Sequence, residues 1–150
     1  MKKIACITGA SSGIGRATAQ SLAKEGFQLI LCGRRKERLE ELQASLSVYS
    51  TLLTFDVSDQ SAVIQAFESL PAEWKNIDVL VNNAGNAHGM SAIQDGDVAD
   101  WDAMMASNVT GLLYVSKEVI KGMVERKKRA ENQLRLMKFV HHGEFDPGSG

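Results

Sequence analysis

Short apolar runs alternate with longer amphipathic stretches along most of this chain. The runs read "KIACIT", "FQLILCG", "TLLTFDV" and "IDVLVNN". Each is apolar at successive positions rather than at every second one, which is typical of strands buried on both faces of a parallel sheet. The sequence therefore predicts four such strands, with helices covering both faces of the sheet.

The stretches between these runs carry apolar residues at helical spacing. One ends at Gly26, the next has regularly spaced leucines, and a third begins at a capping Asp59 and breaks near Pro71. The spacing of apolar residues over 97–127 predicts one or two long helices. We predict an α/β fold of the Rossmann type, a doubly wound parallel sheet truncated to strands 1–4 in the order 3-2-1-4.

Composition is that of an ordinary globular domain. The chain has 150 residues, of which 44% are hydrophobic and 23% charged, with a formal net charge of −1. This charge predicts no nucleic-acid partner, and no apolar run approaches membrane-spanning length. Cys6 and Cys32 fall in strand-like runs, which favours buried thiols in a reducing compartment over a redox pair. We therefore expect a cytoplasmic protein.

A glycine-rich turn stands between the first strand and the first helix. It reads "TGASSGIG" from Thr8 to Gly15. Glycines allow a tight turn and a close approach to a ligand, and the N–H groups at the helix N-terminus attract a pyrophosphate. Glycines alone are a weak signal, but the strand–turn–helix context predicts a dinucleotide site. The predicted contacts are Gly9, Ala10, Ser11, Ser12, Gly13 and Ile14.

The second strand ends at a pair of arginines. NAD-binding Rossmann domains place an acidic residue here for the ribose hydroxyl, but this chain has Cys32-Gly33-Arg34-Arg35. Guanidinium groups suit a phosphate, so Arg34 and Arg35 predict NADP with its 2′-phosphate. The alternative is that one or both are merely solvated at a helix start.

The third and fourth strands end in further candidate contacts. Asp56 and Val57 stand where an adenine edge would lie, although Asp56 also suits a simple turn before a helix. Asn83, Ala84 and Gly85 follow the fourth strand. Ligands of such sheets bind beyond the carboxyl ends of the strands, so all these groups should meet at one edge.

Together, Thr8–Gly15 and Asn82-Asn83-Ala84-Gly85 closely resemble the short-chain dehydrogenase/reductase family over residues 2 to about 126. The stretch "SLPAEWKNIDVLVNNAGNAHGM" is similar to its NADP-dependent branch that oxidises serine, allo-threonine or other 3-hydroxy acids. The resemblance implies hydride transfer with a small hydroxy acid or carbonyl substrate. It implies cofactor contacts by the residues above and a structural catalytic role for Asn108. It also implies that the long helix packs against a second copy.

The residues that the resemblance requires for proton transfer are missing from the sequence. Family members carry a serine and a Tyr-x-x-x-Lys after the long helix, and neither Tyr49 nor Tyr114 has a lysine four positions later. We read Tyr114 and Lys117, which lie three apart on a predicted helix that packs on the sheet, as structural. His88 is the only nearby titratable substitute. The resemblance therefore implies an NADP-dependent oxidoreductase, whereas the residues present favour a chain that is inactive. The alternatives are a non-catalytic NADP-binding module and a non-functional fragment.

Residues 127–150 match nothing in the family. We expect a first domain over 1–126 and a tail over 127–150 that extends the helix and ends in disorder. "LRLMKFV" offers a strand instead, although Lys138 suits a doubly buried strand poorly. The basic cluster at 126–129 suggests a solvated helix end rather than a nucleic-acid contact. His141 and His142 lack spaced partners, so no metal is predicted. A frameshift, alternative splicing or truncation would explain the break.

Overall fold

The computed structural model describes residues 2–86, 91–126 and 135–138 of the chain, the last range as backbone only. The strands are β1 (Ile4–Ile7), β2 (Gln28–Gly33), β3 (Ser50–Thr54), β4 (Val79–Asn82) and β5 (Arg135–Lys138). The α-helices are α1 (Gly13–Lys24), α2 (Lys36–Ser45), α3 (Gln60–Glu68), α4 (Val98–Met105) and α5 (Gly111–Glu125). Two single turns of 3₁₀-helix span Ala72–Trp74 and Ile93–Asp95, and one turn of π-helix spans Ala106–Thr110.

All strand pairs in the sheet are parallel, and the order is β3-β2-β1-β4-β5. The predicted α/β class and the order 3-2-1-4 of the first four strands are confirmed. Cys6 of β1 is in register with Ile30 of β2 and Leu80 of β4. Parallel pairing points the carboxyl ends of these strands to one edge of the sheet, where the loops that follow them converge.

The fifth strand corrects the prediction for the tail. A helical extension is wrong for Arg135–Lys138, which pairs with β4 from Val79 to Asn82. The physical reason is that β4 would otherwise leave its backbone N–H and C=O groups unpaired at a sheet edge. Residues 127–134 and 139–150, with the two histidines and the expected disorder, lie outside the described residues.

Both faces of the central strands β2, β1 and β4 are buried, as their doubly apolar sequences predicted, whereas β3 is mostly half-buried. One face packs Ile4, Cys6 and Leu80 against α3 and α5, and the other packs Ala5, Ile7 and Val81 against α1 and α2. Cys6 and Cys32 are free, and their Sγ atoms are 3.6 Å apart. Burial raises the pKa of the Cys32 thiol, which keeps it protonated and unreactive.

The long helical stretch is two α-helices joined by the π-turn. The sequence predicts Arg126, the C-cap of α5, to lie in a solvated basic cluster, and the structure corrects this. Its guanidinium donates to the carbonyls of Lys75 and Ile77, both at 2.8 Å. These bonds fix the end of α5 to the segment that leads into β4. None of the helices in the described ranges has the length and apolarity needed to cross a membrane.

Candidate nucleotide-binding cleft

The glycine-rich turn has the geometry that its sequence predicted. Gly9 and Gly13 have φ of +61° and +55°, a left-handed conformation that glycine adopts without strain. A Cβ on Gly15 would overlap the carbonyl oxygen of Gly9, so glycine is required where α1 approaches the turn. The turn thus leaves its backbone exposed to the space above β1.

The N-terminus of α1 is uncapped. Ser12 is the N-cap in an extended conformation, and its side chain makes no capping hydrogen bond. No acidic residue stands in the first turn, so the positive end of the helix dipole is not neutralised from within the helix. An anion placed there would gain both the free N–H groups and the dipole.

A buried network joins the turn to the end of β4. The Thr8 hydroxyl accepts hydrogen bonds from the N–H groups of Asn83 and Ala84, both at 3.0 Å. The Asn83 amide Nδ2 donates to the Gly9 carbonyl at 3.0 Å, while its Oδ1 is buried without a donor among the described residues. Asn83 is therefore first a structural residue, and its Oδ1 is an acceptor left open.

Arg34, Arg35 and Asp56 lie together at the ends of β2 and β3. Both arginines are exposed, and neither makes an ion pair within 4.0 Å in the described part of the chain. Burial alone would raise the pKa of Asp56. Hydrogen bonds from the Ser58 hydroxyl and N–H, at 2.7 and 2.9 Å, and the positive charge of Arg34 outweigh it and lower that pKa. Asp56 is therefore ionised at neutral pH.

Asn108 is held in a two-way amide clamp. It lies on the π-turn, and its Nδ2 donates to the Asn86 carbonyl at 2.9 Å while its Oδ1 accepts from the Asn86 N–H at 2.8 Å. A Cβ on Gly85 would lie 2.7 Å from this Oδ1, which explains the glycine there. The clamp ties the loop after β4 to the π-turn, so Asn108 acts on loop geometry in this structure.

One cleft at the carboxyl edge of the sheet collects most of the predicted residues. Its volume is about 670 Å³, including open solvent at its mouth. The predicted residues that line it are Gly9, Ser11, Ser12, Arg34, Arg35, Asp56, Val57, Asn83, Ala84 and Gly85. Ala10 does not line it and packs into the core, and Gly13 and Ile14 stand in the first turn of α1 without lining it.

The cleft also has walls that sequence reasoning did not assign. Thr8, Cys32, Gly33, Phe55, Asn86 and Ser107 complete the lining. Cys32 and Gly33 end β2, and Thr8 and Phe55 directly follow β1 and β3, so each stands next to the residues already assigned at those strand ends. Asn86 and Ser107 come together only through the clamp around Asn108 and the π-turn, for which the sequence offered no signal.

The two tyrosines lie away from the cleft. Tyr49 stacks on Trp74 with ring centroids 5.1 Å apart, and Tyr114, a residue of α5, packs against the hydrophobic core. Neither lines the cleft. His88 lies outside the described residues. Within the described ranges, no three histidine, cysteine, aspartate or glutamate side chains are grouped as metal ligands would be.

Comparisons with known proteins agree with this geometry. The sequence pattern of the family described as short chain dehydrogenase matches residues 3–130. The NADP-dependent 3-hydroxy acid dehydrogenase of Escherichia coli strain K12 is 42% identical over 123 residues, which are 82% of this chain and 50% of the relative. The serine 3-dehydrogenase of Rhizobium radiobacter is 45% identical over 121 residues, 81% of this chain and 49% of the relative. The chain thus spans about half the length of these relatives.

Solved structures show the same fold. A serine dehydrogenase from Escherichia coli superposes with a TM-score of 0.82 at 39% identity, over 90% of this chain and 60% of the other. A closed serine dehydrogenase complexed with NADP⁺ gives 0.79 at 40% identity, over 90% and 52%. Matching sequence, strand order and cleft together show that the chain belongs to the short-chain dehydrogenase family.

Proposed function

We propose that residues 1–126 form a partial Rossmann domain that binds NADP(H) in the cleft. The observation that carries the proposal is the meeting, over one cleft, of an uncapped helix N-terminus with Arg34 and Arg35. A diphosphate suits the first, and a 2′-phosphate suits the second. Relatives named as NADP-dependent and a neighbour complexed with NADP⁺ support the same cofactor.

The residues present fit this group. Gly9 and Gly13 have positive φ, a conformation that favours glycine, and neither residue has a side chain that would fill the phosphate position. The open Oδ1 of Asn83 is an acceptor for a hydroxyl or a water molecule beside it. Arg34 and Arg35 form no ion pair with the described side chains, so a phosphate would not have to displace one.

By lineage, the reaction is an oxidation or reduction of a small 3-hydroxy acid or alcohol. NADP, when bound, supplies the acceptor or donor of a hydride. This chain's own residues bind and orient it, and the Asn108 clamp holds the loop after β4 against the π-turn. Proton transfer at the substrate oxygen needs a further acid–base group, which typically contributes about 10²- to 10⁴-fold in rate.

We propose that the chain of this sequence binds NADP(H) without substantial turnover. Its two tyrosines lie outside the cleft, and neither is followed four residues later by lysine. We expect no NADPH formation above background at 340 nm with serine, allo-threonine or 3-hydroxybutyrate at saturating NADP⁺. A rate of NADPH formation well above background in the wild-type protein would contradict this proposal if it disappeared in Gly13→Trp, whose side chain blocks the glycine-rich turn.

Cofactor choice is the direct test of the binding site. We expect NADPH to bind at least about tenfold more tightly than NADH, because one charge-assisted hydrogen bond contributes about 1.5–3 kcal/mol. Arg34→Asp should remove or reverse that preference, as followed by the fluorescence of the reduced nicotinamide. Arg38→Asp is the matched control, since Arg38 is exposed on α2 and does not line the cleft. Equal affinities in the unmutated protein would refute the proposal.

The buried cysteines and the exposed apolar residues of the chain support proposals for its cellular location and its assembly. Its free, buried cysteines fit a reducing compartment, and we propose the cytoplasm. We also propose self-association through the apolar residues that α4 and α5 leave exposed. Small molecules are its expected ligands, without nucleic acid or membrane.

A further inference from the structure

One aspartate of the chain is followed directly by glycine. This is Asp95, the last residue of the 3₁₀-turn Ile93–Asp95, and Gly96 lies between that turn and α4. The sequence has no other aspartate or asparagine with glycine after it. An aspartyl carboxyl can close onto the backbone nitrogen of the next residue as a five-membered ring, and a side chain on that residue hinders the closure. Glycine has no side chain, so ring closure is least hindered at Asp95.

Both groups that would react are weakly held. Asp95 is exposed, and among the described residues its carboxylate accepts one hydrogen bond, from Gln94 Nε2 at 3.4 Å. The Gly96 N–H donates to the Ile93 carbonyl at 3.5 Å, which is longer than the usual range for such a bond. A single 3₁₀-turn has few hydrogen bonds to lose when it opens. The carboxyl and the nitrogen can therefore meet at little cost in free energy.

The aspartate two residues later provides a matched contrast. Asp97 is also exposed, but it is the N-cap of α4, and its Oδ1 accepts from the Ala99 N–H at 2.9 Å. That bond holds the carboxylate toward the helix. The residue after Asp97 is Val98, whose branched side chain crowds the backbone nitrogen between them. Asp97 should therefore resist the ring closure that Asp95 allows.

The packing of Trp101 explains why glycine follows Asp95. A Cβ on Gly96 would lie 2.5 Å from the Trp101 Cζ2 atom and 2.9 Å from its Cε2 atom. Gly96 has a φ of −73°, which other residues adopt readily, so the indole ring rather than the backbone conformation requires glycine. The contact that positions Trp101 in α4 thus keeps the nitrogen of Gly96 free of a neighbouring side chain.

We propose that Asp95 is a modification site, at which the Asp95–Gly96 linkage isomerises to isoaspartate. The Gly96 nitrogen attacks Cγ of the protonated carboxyl, the N–Cγ bond forms, and one carboxyl oxygen leaves as water with the acid proton and the amide proton. Water then adds to the former main-chain carbonyl carbon of the succinimide. The bond from that carbon to nitrogen breaks, and the chain now runs through Cγ. The water lost in the first step is regained in the second, so the change needs no other reactant.

The product carries a group that a partner enzyme can recognise. The backbone between Asp95 and Gly96 is one methylene longer, and the free carboxylate stands on Cα. A methyltransferase specific for isoaspartyl groups transfers the methyl of S-adenosylmethionine to an oxygen of that carboxylate, and S-adenosylhomocysteine leaves. Neither residue lines the nucleotide cleft, so the inference does not depend on the proposed function.

The test ages the purified chain at neutral pH and body temperature. An isoaspartyl methyltransferase with labelled S-adenosylmethionine then measures the methyl groups accepted, and peptide mapping by electron-transfer fragmentation locates the isoaspartate. We expect at least about twofold more isoaspartate at Asp95 than at Asp97, because breaking the capping hydrogen bond of Asp97 alone slows ring closure by about that factor.

Three variants test the chemistry at this position. Asp95→Glu would need a six-membered ring and should lose the methyl acceptance. Asp95→Asn closes the same ring with ammonia as the leaving group and should accumulate isoaspartate faster than the wild type. Asp102→Glu is the matched control, since Asp102 is exposed on α4 and is followed by alanine, and it should leave the methyl acceptance unchanged.

The native fold gives the decisive comparison. Isoaspartate at Asp95 should form in the native chain within about threefold of its rate in urea, because a turn that opens at almost no free-energy cost reacts like an unfolded segment. A larger protection by the fold would overturn the assignment, since the turn would then hold the carboxyl away from Gly96. Equal amounts at Asp95 and Asp97, or undiminished methyl acceptance in Asp95→Glu, would overturn it as well.

Discussion

Asp56 joins the stability of the loop after β3 to the charge of the cleft. Its Oδ1 accepts both hydrogen bonds from Ser58, and Arg34 adds a favourable charge, so the pKa of its carboxyl is lowered in the folded chain. A group with a lowered folded pKa stabilises the fold above its unfolded pKa. That contribution disappears as the pH falls through the folded value.

We therefore predict a pH-dependent difference between wild type and Asp56→Asn. The free energy of unfolding in urea should favour the wild type by a constant amount above about pH 5, and this gap should shrink below about pH 4. Ser58→Ala removes the hydrogen bond from the Ser58 hydroxyl to Asp56 but keeps the one from the N–H. In a Ser58→Ala background, the difference in unfolding free energy caused by Asp56→Asn should therefore be smaller but not absent. A gap that widens on acidification would contradict the assignment.

Single residues of the site were predictable where they belong to a local motif. Gly9, Gly13 and Gly15 sit in one turn, and the need for positive φ and close packing is local chemistry that sequence carries. Ser107 was not predictable in this way. Its place depends on a π-turn, one residue wider than an α-turn, and on the clamp between Asn108 and Asn86.

At the scale of elements, Arg126 shows how a helix end is fixed by a partner far along the chain. Its two bonds reach carbonyls 51 and 49 residues away, in the segment before β4. Burial lowers the pKa of its guanidinium, while the charge of Asp78 raises it. Sequence reasoning placed Arg126 in a solvated cluster because no local signal names those carbonyls.

We predict that Arg126→Lys destabilises the chain by about 1–3 kcal/mol, because an ammonium cannot make the same two-pronged contact. Lys117→Arg is the control, since it is the reverse exchange at an exposed position of the same helix, and Lys117 makes no hydrogen bond in the described part of the chain. Urea unfolding measures both. If the two variants lose equal stability, the bonds of Arg126 do not hold α5 in place.

The strand β5 lies within "LRLMKFV", for which the sequence left a strand open as the alternative to a helical extension. Arg135–Lys138 combines two basic residues with two apolar ones, a composition that favours helix as much as strand. What makes it a strand is the free edge of β4, which supplies backbone partners for four residues in register. Strand propensity depends on such tertiary context more than helix propensity does.

For the whole molecule, the notable surface is a row of apolar side chains along α4, the π-turn and α5. The exposed fractions are 57% for Met105, 40% for Val109 and 58% for Leu113, spaced four residues apart. The row continues to Val98 and Trp101, which are also exposed, while Val124 near the end of α5 is separated from it by the exposed Lys117 and Lys121. Exposure of Met105, Val109 and Leu113, with half-burial of Leu112 and Ile120, is as predicted. A row of exposed apolar side chains from Val98 to Leu113 favours association.

We predict that this row holds two copies of the chain together. Its apolar side chains recur at a regular spacing along one helix face, so the same face of a second copy can pack against it about a two-fold axis. Met105→Glu combined with Leu113→Glu should shift the protein to monomer in sedimentation velocity, without loss of helix signal. Arg38→Glu gives the same change in net charge on α2, away from the row, and should leave the association intact. A wild-type chain that is monomeric at high concentration would contradict the prediction. So would a double variant that still associates, because the two glutamates would place like charges at the centre of the contact, where water is excluded.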